Sequence, residues 1–169
     1  FNERYNGRLH YNTGRRINNG FIRNNHTVFT LSDRDVIHNS KKITDISGSK
    51  YLNKKILKIN NIFKPELIVI GHADNITIDT LSKIKESNKS AKFSQWFLDP
   101  VSKNGPDYIK NRNRFTTKSE FMDTSFITTS PDALNFKVKN SFFIPNPCDQ
   151  SFEILDNHKK NPTNDLFFA

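Results

Sequence analysis

His72 and Asp74 follow the apolar run Leu67-Ile68-Val69-Ile70 after a single glycine. An imidazole there can take up a proton near neutral pH or bond a substrate hydroxyl, which makes His72 the candidate catalytic residue. A histidine that only bonds a neighbouring backbone group would stand equally well at this position. Trp96 and Asp99 close a second run, Lys92 to Leu98. An indole can stack on the apolar face of a sugar ring while a carboxylate accepts from its hydroxyls. Trp96 also suits an ordinary core, and Asp99-Pro100 an ordinary strand stop. A third set lies in the opening segment: Asn6, Arg8, Tyr11, Asn12 and Arg15, with His10 and Arg16 between them. Guanidinium groups grip phosphate or carboxylate with two parallel bonds, and Arg15 and Arg16 lie where a helix begins, so an anion could be held there. A solvated basic face is the competing reading for each arginine.

These residues need elements to position them. The spacing predicts a helix from about Thr13 as N-cap, with Ile17 and Phe21 on one face and Asn24-Asn25 as its exit. A short strand, Thr27 to Leu31, follows and ends in the polar cluster Ser32 to Asp35; residues 38 to 49 read as loop. Leu52, Ile56, Ile59 and Phe63 mark a helix over about Lys50 to Phe63, stopped by Pro65. Leu67 to Ile70 suits a strand buried on both faces, as in a parallel sheet. Ile78, Leu81 and Ile84 mark the next helix, and Lys92 to Leu98 the next strand. Residues 101 to 120 read as a long polar loop whose basic stretch, Lys110 to Arg114, is a solvated face. Ser125 to Thr129 is a further strand, Ser130-Pro131 a helix start, and Phe142 to Ile144 a final strand before Pro145-Asn146-Pro147.

Alternating helices and strands predict an α/β fold: a Rossmann-like parallel sheet with helices on both faces. Such a sheet opens with a strand, whereas this chain opens with the loop that should follow one. The first strand is therefore expected upstream of Phe1, and the ending Leu166-Phe167-Phe168-Ala169 reads as another strand just beginning. In an open parallel sheet the ligand crevice lies beyond the carboxyl ends of the strands, where strand order reverses. That rule nominates Asp33 and Arg34, His72 and Asp74, Asp99, Ser130 and Asn146, with residues 1 to 12 facing His72.

Composition narrows the classes. In 169 residues, 26 Lys and Arg against 17 Asp and Glu leave a charge of +9, and only 34% are hydrophobic, so the 15 Phe must supply much of the core. The many Asn residues read as compositional bias. A charge of this sign draws nucleic acid, anionic lipid or phosphorylated substrates without choosing among them. The lone Cys148 excludes an internal disulfide and a Cys-based zinc site, which suits a reducing cytosol. The histidines are scattered, so no metal site is expected. Gly7 and Gly14 do not form the glycine pattern of a dinucleotide fingerprint, so no such cofactor is expected either. No apolar run reaches the roughly 18 residues needed to cross a bilayer.

The order of segments resembles the N-terminal half of GT-B-type glycosyltransferases. Asn24 to Val28 (NNHTV) sits where that family has a helix exit and a Gly-His-x-Val strand opening. Leu67 to His72 (LIVIGH) is similar to its strand end with paired histidines, and Phe126 to Leu134 (FITTSPDAL) to the strand and helix start that close the domain. Phe143 to Asp149 (FIPNPCD), with Phe152, is similar to the Pro-Asn-Gly-Val-Asp element before the interdomain linker. Here Pro147-Cys148 replaces Gly-Val and Asn25 replaces Gly. The wording is nearest to the spore-maturation-protein-like bacterial subgroup.

The resemblance implies an acceptor-side domain over residues 1–147, then over 148–169 the linker and the start of a C-terminal donor-binding domain. It implies a nucleotide-sugar donor held mainly by that other half, and a glycan, lipid-linked or protein acceptor. The setting it implies is bacterial polysaccharide synthesis in the cytoplasm, with peripheral membrane contact and no nucleic acid. The residues 1–169 alone would then be inactive. The charge keeps a second reading open: a non-enzymatic basic module for nucleic acid or another anion.

Overall fold

The computed structural model describes residues 11–151. Its elements run α1 (Thr13–Arg23), α2 (Asp33–Ser40), α3 (Ser49–Phe63), β1 (Leu67–Ile70), α4 (Ile78–Ser87), β2 (Lys92–Phe97), α5 (Tyr108–Thr116), β3 (Thr124–Ile127) and β4 (Ser141–Phe143), with 3-10 turns at Ser119–Phe121 and Pro131–Ala133. The four strands are all parallel and pair in chain order, β1-β2-β3-β4. This is the expected α/β class: a parallel sheet flanked by helices, Rossmann-like in construction.

Strand alternation sorts the side chains. Ile68, Ile70, Phe93, Phe97 and Ile127 share one face by register. Over its β1 end pack Leu81 and Ile84 of α4, Ile56 and Leu57 of α3, and Met122. Over the other end pack Val101, Phe115 of α5, Leu134 and Phe136. The opposite face carries Phe126 and Phe142, which stay exposed with ring centroids 6.1 Å apart.

α3 and α4 are joined by buried amides. Asn53 donates from Nδ2 to the carbonyls of Ser49 (2.7 Å) and Asn75 (2.9 Å). Its Oδ1 accepts from the Thr77 N–H (3.0 Å) and the Thr80 hydroxyl (2.7 Å). Further down the seam Asn60 donates to Ser87 Oγ at 3.1 Å, and Asn88 donates to the Pro65 carbonyl at 2.9 Å. These amides hold the structure together, so asparagine is more than compositional bias here. At the start of α3, Gly48 has φ +70°, and a Cβ there would lie 2.6 Å from the Ile37 carbonyl oxygen. Only glycine fits that corner.

Several expectations need correcting. Asn12 caps α1, not Thr13: its Oδ1 accepts the Arg15 N–H at 3.0 Å. Thr27 to Leu31 forms no strand, because no described strand lies beside it to complete a ladder. The polar cluster after it begins a helix. Ser32 bonds Asp35, and Asp33 with Asp35 places negative charge in the first turn of α2. Leu67 is 44% exposed on the sheet face that it shares with Phe126 and Phe142, so β1 is not buried on both faces. Ser130-Pro131 opens only a single 3-10 turn, without a side-chain cap bond. Residues 101 to 120 are not one loop, since α5 and a 3-10 turn occupy much of the stretch.

Candidate functional site

β1 and β2 end side by side, and the segments leaving them carry His72, Asp74 and Asp99. Gly71 allows this junction: a Cβ there would meet the Trp96 ring at 2.7 Å. Ala73 takes a left-handed conformation, φ +46°, which is costly for a residue with a side chain. The turn is fastened from two sides. Asn53 holds the Asn75 carbonyl and the Thr77 N–H, while Lys118 Nζ donates to the Ala73 carbonyl at 2.8 Å. Thr77 then caps α4, accepting the Thr80 N–H at 3.2 Å.

α5 delivers the central cation. Asn111 donates to the Pro100 carbonyl at 3.0 Å and to the Pro106 carbonyl at 3.3 Å, and Phe115 is fully buried. With those two inward, Arg114 reaches across the strand ends. Its guanidinium grips Asp74 through both oxygens (2.6 and 3.1 Å), touches Asp99 Oδ2 at 3.3 Å and donates to His72 Nδ1 at 3.0 Å. The group is partly wet: the side chains of Arg114 and His72 are 22% and 26% exposed, those of Asp99 and Asp74 39% and 42%.

Arginine has no acceptor, so Nδ1 of His72 must be the acceptor and the ring proton sits on Nε2. Nε2 is buried and faces Asp99 Oδ2 across 3.5 Å, too long for a well-formed bond. Phe97 lies 4.7 Å from the imidazole, centroid to centroid, and Trp96 6.4 Å. Burial holds the His72 pKa below its ordinary value; Asp99 opposes that shift and Arg114 adds to it. Burial pushes Asp74 up, but the bonds and charge of Arg114 outweigh it and leave the carboxyl below its usual range. Asp74 in turn raises Arg114, and burial lowers Lys118. His72 is thus a neutral ring whose Nδ1 is held by Arg114 while its buried Nε2–H only faces Asp99. It can serve as a base only after Arg114 lets go of Nδ1.

Of the residues nominated from sequence, His72, Asp74, Trp96 and Asp99 come together. Asn6 and Arg8 lie outside the described residues. Tyr11 is 62% exposed just ahead of α1, Asn12 is spent as the cap, and Arg15 stands in the first turn. Arg114 is the main correction. The stretch Lys110 to Arg114 is helical and its last residue turns inward, because Asn111 and Phe115 fix the buried side of α5 and Arg114 follows on the next turn. Lys118 and Asn53 were also missed. The signal for α5 is the Asn111/Phe115 spacing, masked by the neighbouring Asn104-Gly105-Pro106.

No family model, curated protein or solved structure matches this chain. Among the described residues, no helix is long and apolar enough to cross a membrane.

Proposed function

We propose that the chain is the acceptor-side domain of a GT-B-type glycosyltransferase, transferring a sugar from a nucleotide-sugar donor to a glycan, lipid-linked or protein acceptor. What carries this reading is the cluster His72, Asp74, Asp99 and Arg114 beside Trp96, set beyond the carboxyl ends of two parallel strands. The order of motifs in the sequence supports it independently. An acceptor hydroxyl bonded by Asp99 would lie close to His72. If the incoming acceptor displaces Arg114 from Nδ1, the freed nitrogen accepts the hydroxyl proton as the sugar is transferred. Trp96 offers a flank for the acceptor ring. The donor diphosphate belongs to the other half of the fold, where helix dipoles and basic side chains stabilise it as it leaves. The setting that fits is bacterial surface polysaccharide synthesis on the cytoplasmic side, with the protein in peripheral contact with the membrane.

The test is to offer the complete protein a broad panel of nucleotide sugars. Binding or hydrolysis of at least one is expected, together with transfer to an acceptor that His72→Ala abolishes. Silence across the panel overturns the reading. Salt-dependent binding of unrelated DNA or RNA without sugar-nucleotide affinity would replace it with a basic binding module, the alternative suggested by the +9 charge.

A further inference from the structure

Beside the Arg114 cluster, and sharing Asp74 with it, lies a cavity of about 220 Å³ lined by Arg34, Ile37, His38 and Lys41 on one side and Asp74 and Asn75 on the other. We infer that this cavity binds a phosphate group. Arg34, His38 and Lys41 follow one another at helical spacing, so α2 and its C-cap turn a row of nitrogen donors towards one space. Arg34 and Lys41 are exposed, so their charges face solvent and any incoming anion. The one acid in the lining, Asp74, has both oxygens held by Arg114, which cancels most of the repulsion it would exert. Lys118, fastened just behind at the Ala73 carbonyl, adds positive charge that Asp33 and Asp74 partly offset. Asn75, whose own carbonyl is taken by Asn53, forms part of the opposite wall.

The chemistry favours phosphate. It presents three strong acceptor oxygens, which suits the row of donors arriving from α2 and its C-cap. The cavity also has room for part of whatever carries the group. Its place is beyond the carboxyl end of β1, next to the left-handed Ala73. The site stands on its own lining. Only its assignment to the acceptor rests on the glycosyltransferase reading, in which the acceptor would be a phosphorylated sugar or a lipid phosphate.

The experiment is titration calorimetry of the complete protein with inorganic phosphate and with a hexose 1-phosphate, plus flotation with phosphatidylcholine vesicles containing phosphatidic acid. Each is repeated on Arg34→Ala/Lys41→Ala, two exposed positions whose loss should leave the thermal midpoint unchanged. Binding weakened at least about tenfold in the double variant is expected, since even one charged bond lost is worth about one decade. Restoration by Arg34→Lys/Lys41→Arg, which keeps both charges, is expected as well. Tighter binding of the hexose phosphate assigns the site to a soluble phosphosugar; variant-sensitive flotation assigns it to a lipid headgroup. No saturable binding by any probe, or binding that the double variant leaves intact, overturns the inference. Nucleotide-sugar binding on the same samples separates the two readings. Phosphate bound here without any sugar nucleotide keeps this site and removes the glycosyltransferase; the converse keeps the enzyme and removes the site.

Discussion

Two polar networks flank the turn after β1, and they are built on opposite principles. Asn53 is buried and neutral, and its amide finds partners on both the donor and the acceptor side, all of them backbone or hydroxyl groups of α3 and the entrance to α4. Arg114 is charged and partly wet, and it divides its donors among two carboxylates and an imidazole. A satisfied neutral network in a dry place is costly to open, because each group released loses a partner and gains no water. An ion-pair network in contact with solvent is cheap to open, because water and an incoming ligand can replace every bond. The first holds the turn; the second leaves its side chains free to be recruited.

The contrast can be broken first at Asn53. Asn53→Ala strands the Thr77 N–H and the Asn75 carbonyl, and urea unfolding should show a loss of about 3 kcal/mol with an unchanged slope. A loss below ~1 kcal/mol would mean the seam is not dry. Gly48→Ala forces a side chain into a left-handed corner against a carbonyl and should cost roughly 2 kcal/mol, measured the same way. Arg114→Ala should cost only about 1 kcal/mol after allowance for solvent, yet, because it frees Asp74 and Asp99 from the places where they would meet the acceptor, reduce transfer by on the order of a hundredfold. If stability falls as far as in Asn53→Ala, Arg114 is structural and the contrast fails. Arg114→Lys keeps the charge but not the fork. It should not restore transfer, and the ¹⁵N shifts of His72 should then show the ring leaving its single tautomer.

The smallest effect is on pH. His72 has a folded pKa below its ordinary 6.5, so the unfolded chain binds a proton first as pH falls. Stability is therefore full above about pH 6.5 and declines below it. Asp74 is also depressed, and its contribution is lost only in the lower range where carboxylates protonate. In His72→Gln the decline that sets in below about pH 6.5 should vanish while the acidic one remains. An unchanged profile would show that the imidazole is not held neutral.

The sheet was legible because Leu67 to Ile70 is an unbroken apolar run, and because Lys92 to Phe97 and Thr124 to Ile127 carry aromatic and Ile residues between turn residues that delimit them. α3 and α4 were legible from Leu52 and Ile56 and from Leu81 and Ile84. α2 was not, since its polar residues hide it among loop-like neighbours and only the Ser32–Asp35 pair marks its start. α5 was obscured by Gly105-Pro106 and by an N-cap, Asp107, that makes no cap bond. Half of the site followed from the strand-end rule, which finds His72, Asp74 and Asp99 because their places are fixed by the strands before them. The other half, Arg114 on α5 and Lys118 just after it, arrives from 40 or more residues away from Asp74 and Ala73. Nothing in local spacing says where such a long side chain will end.

Trp96 is the chain's one tryptophan, and its indole leans over Gly71 with the His72 ring 6.4 Å away. The protein therefore carries its own optical reporter at the place where its chemistry is expected. A charged imidazolium quenches indole emission at such range, whereas a neutral imidazole hardly does. The fluorescence of the unlabelled molecule should dim as His72 gains its proton and shift again when Arg114 swings aside for a ligand, so occupancy could be followed in real time without adding a dye.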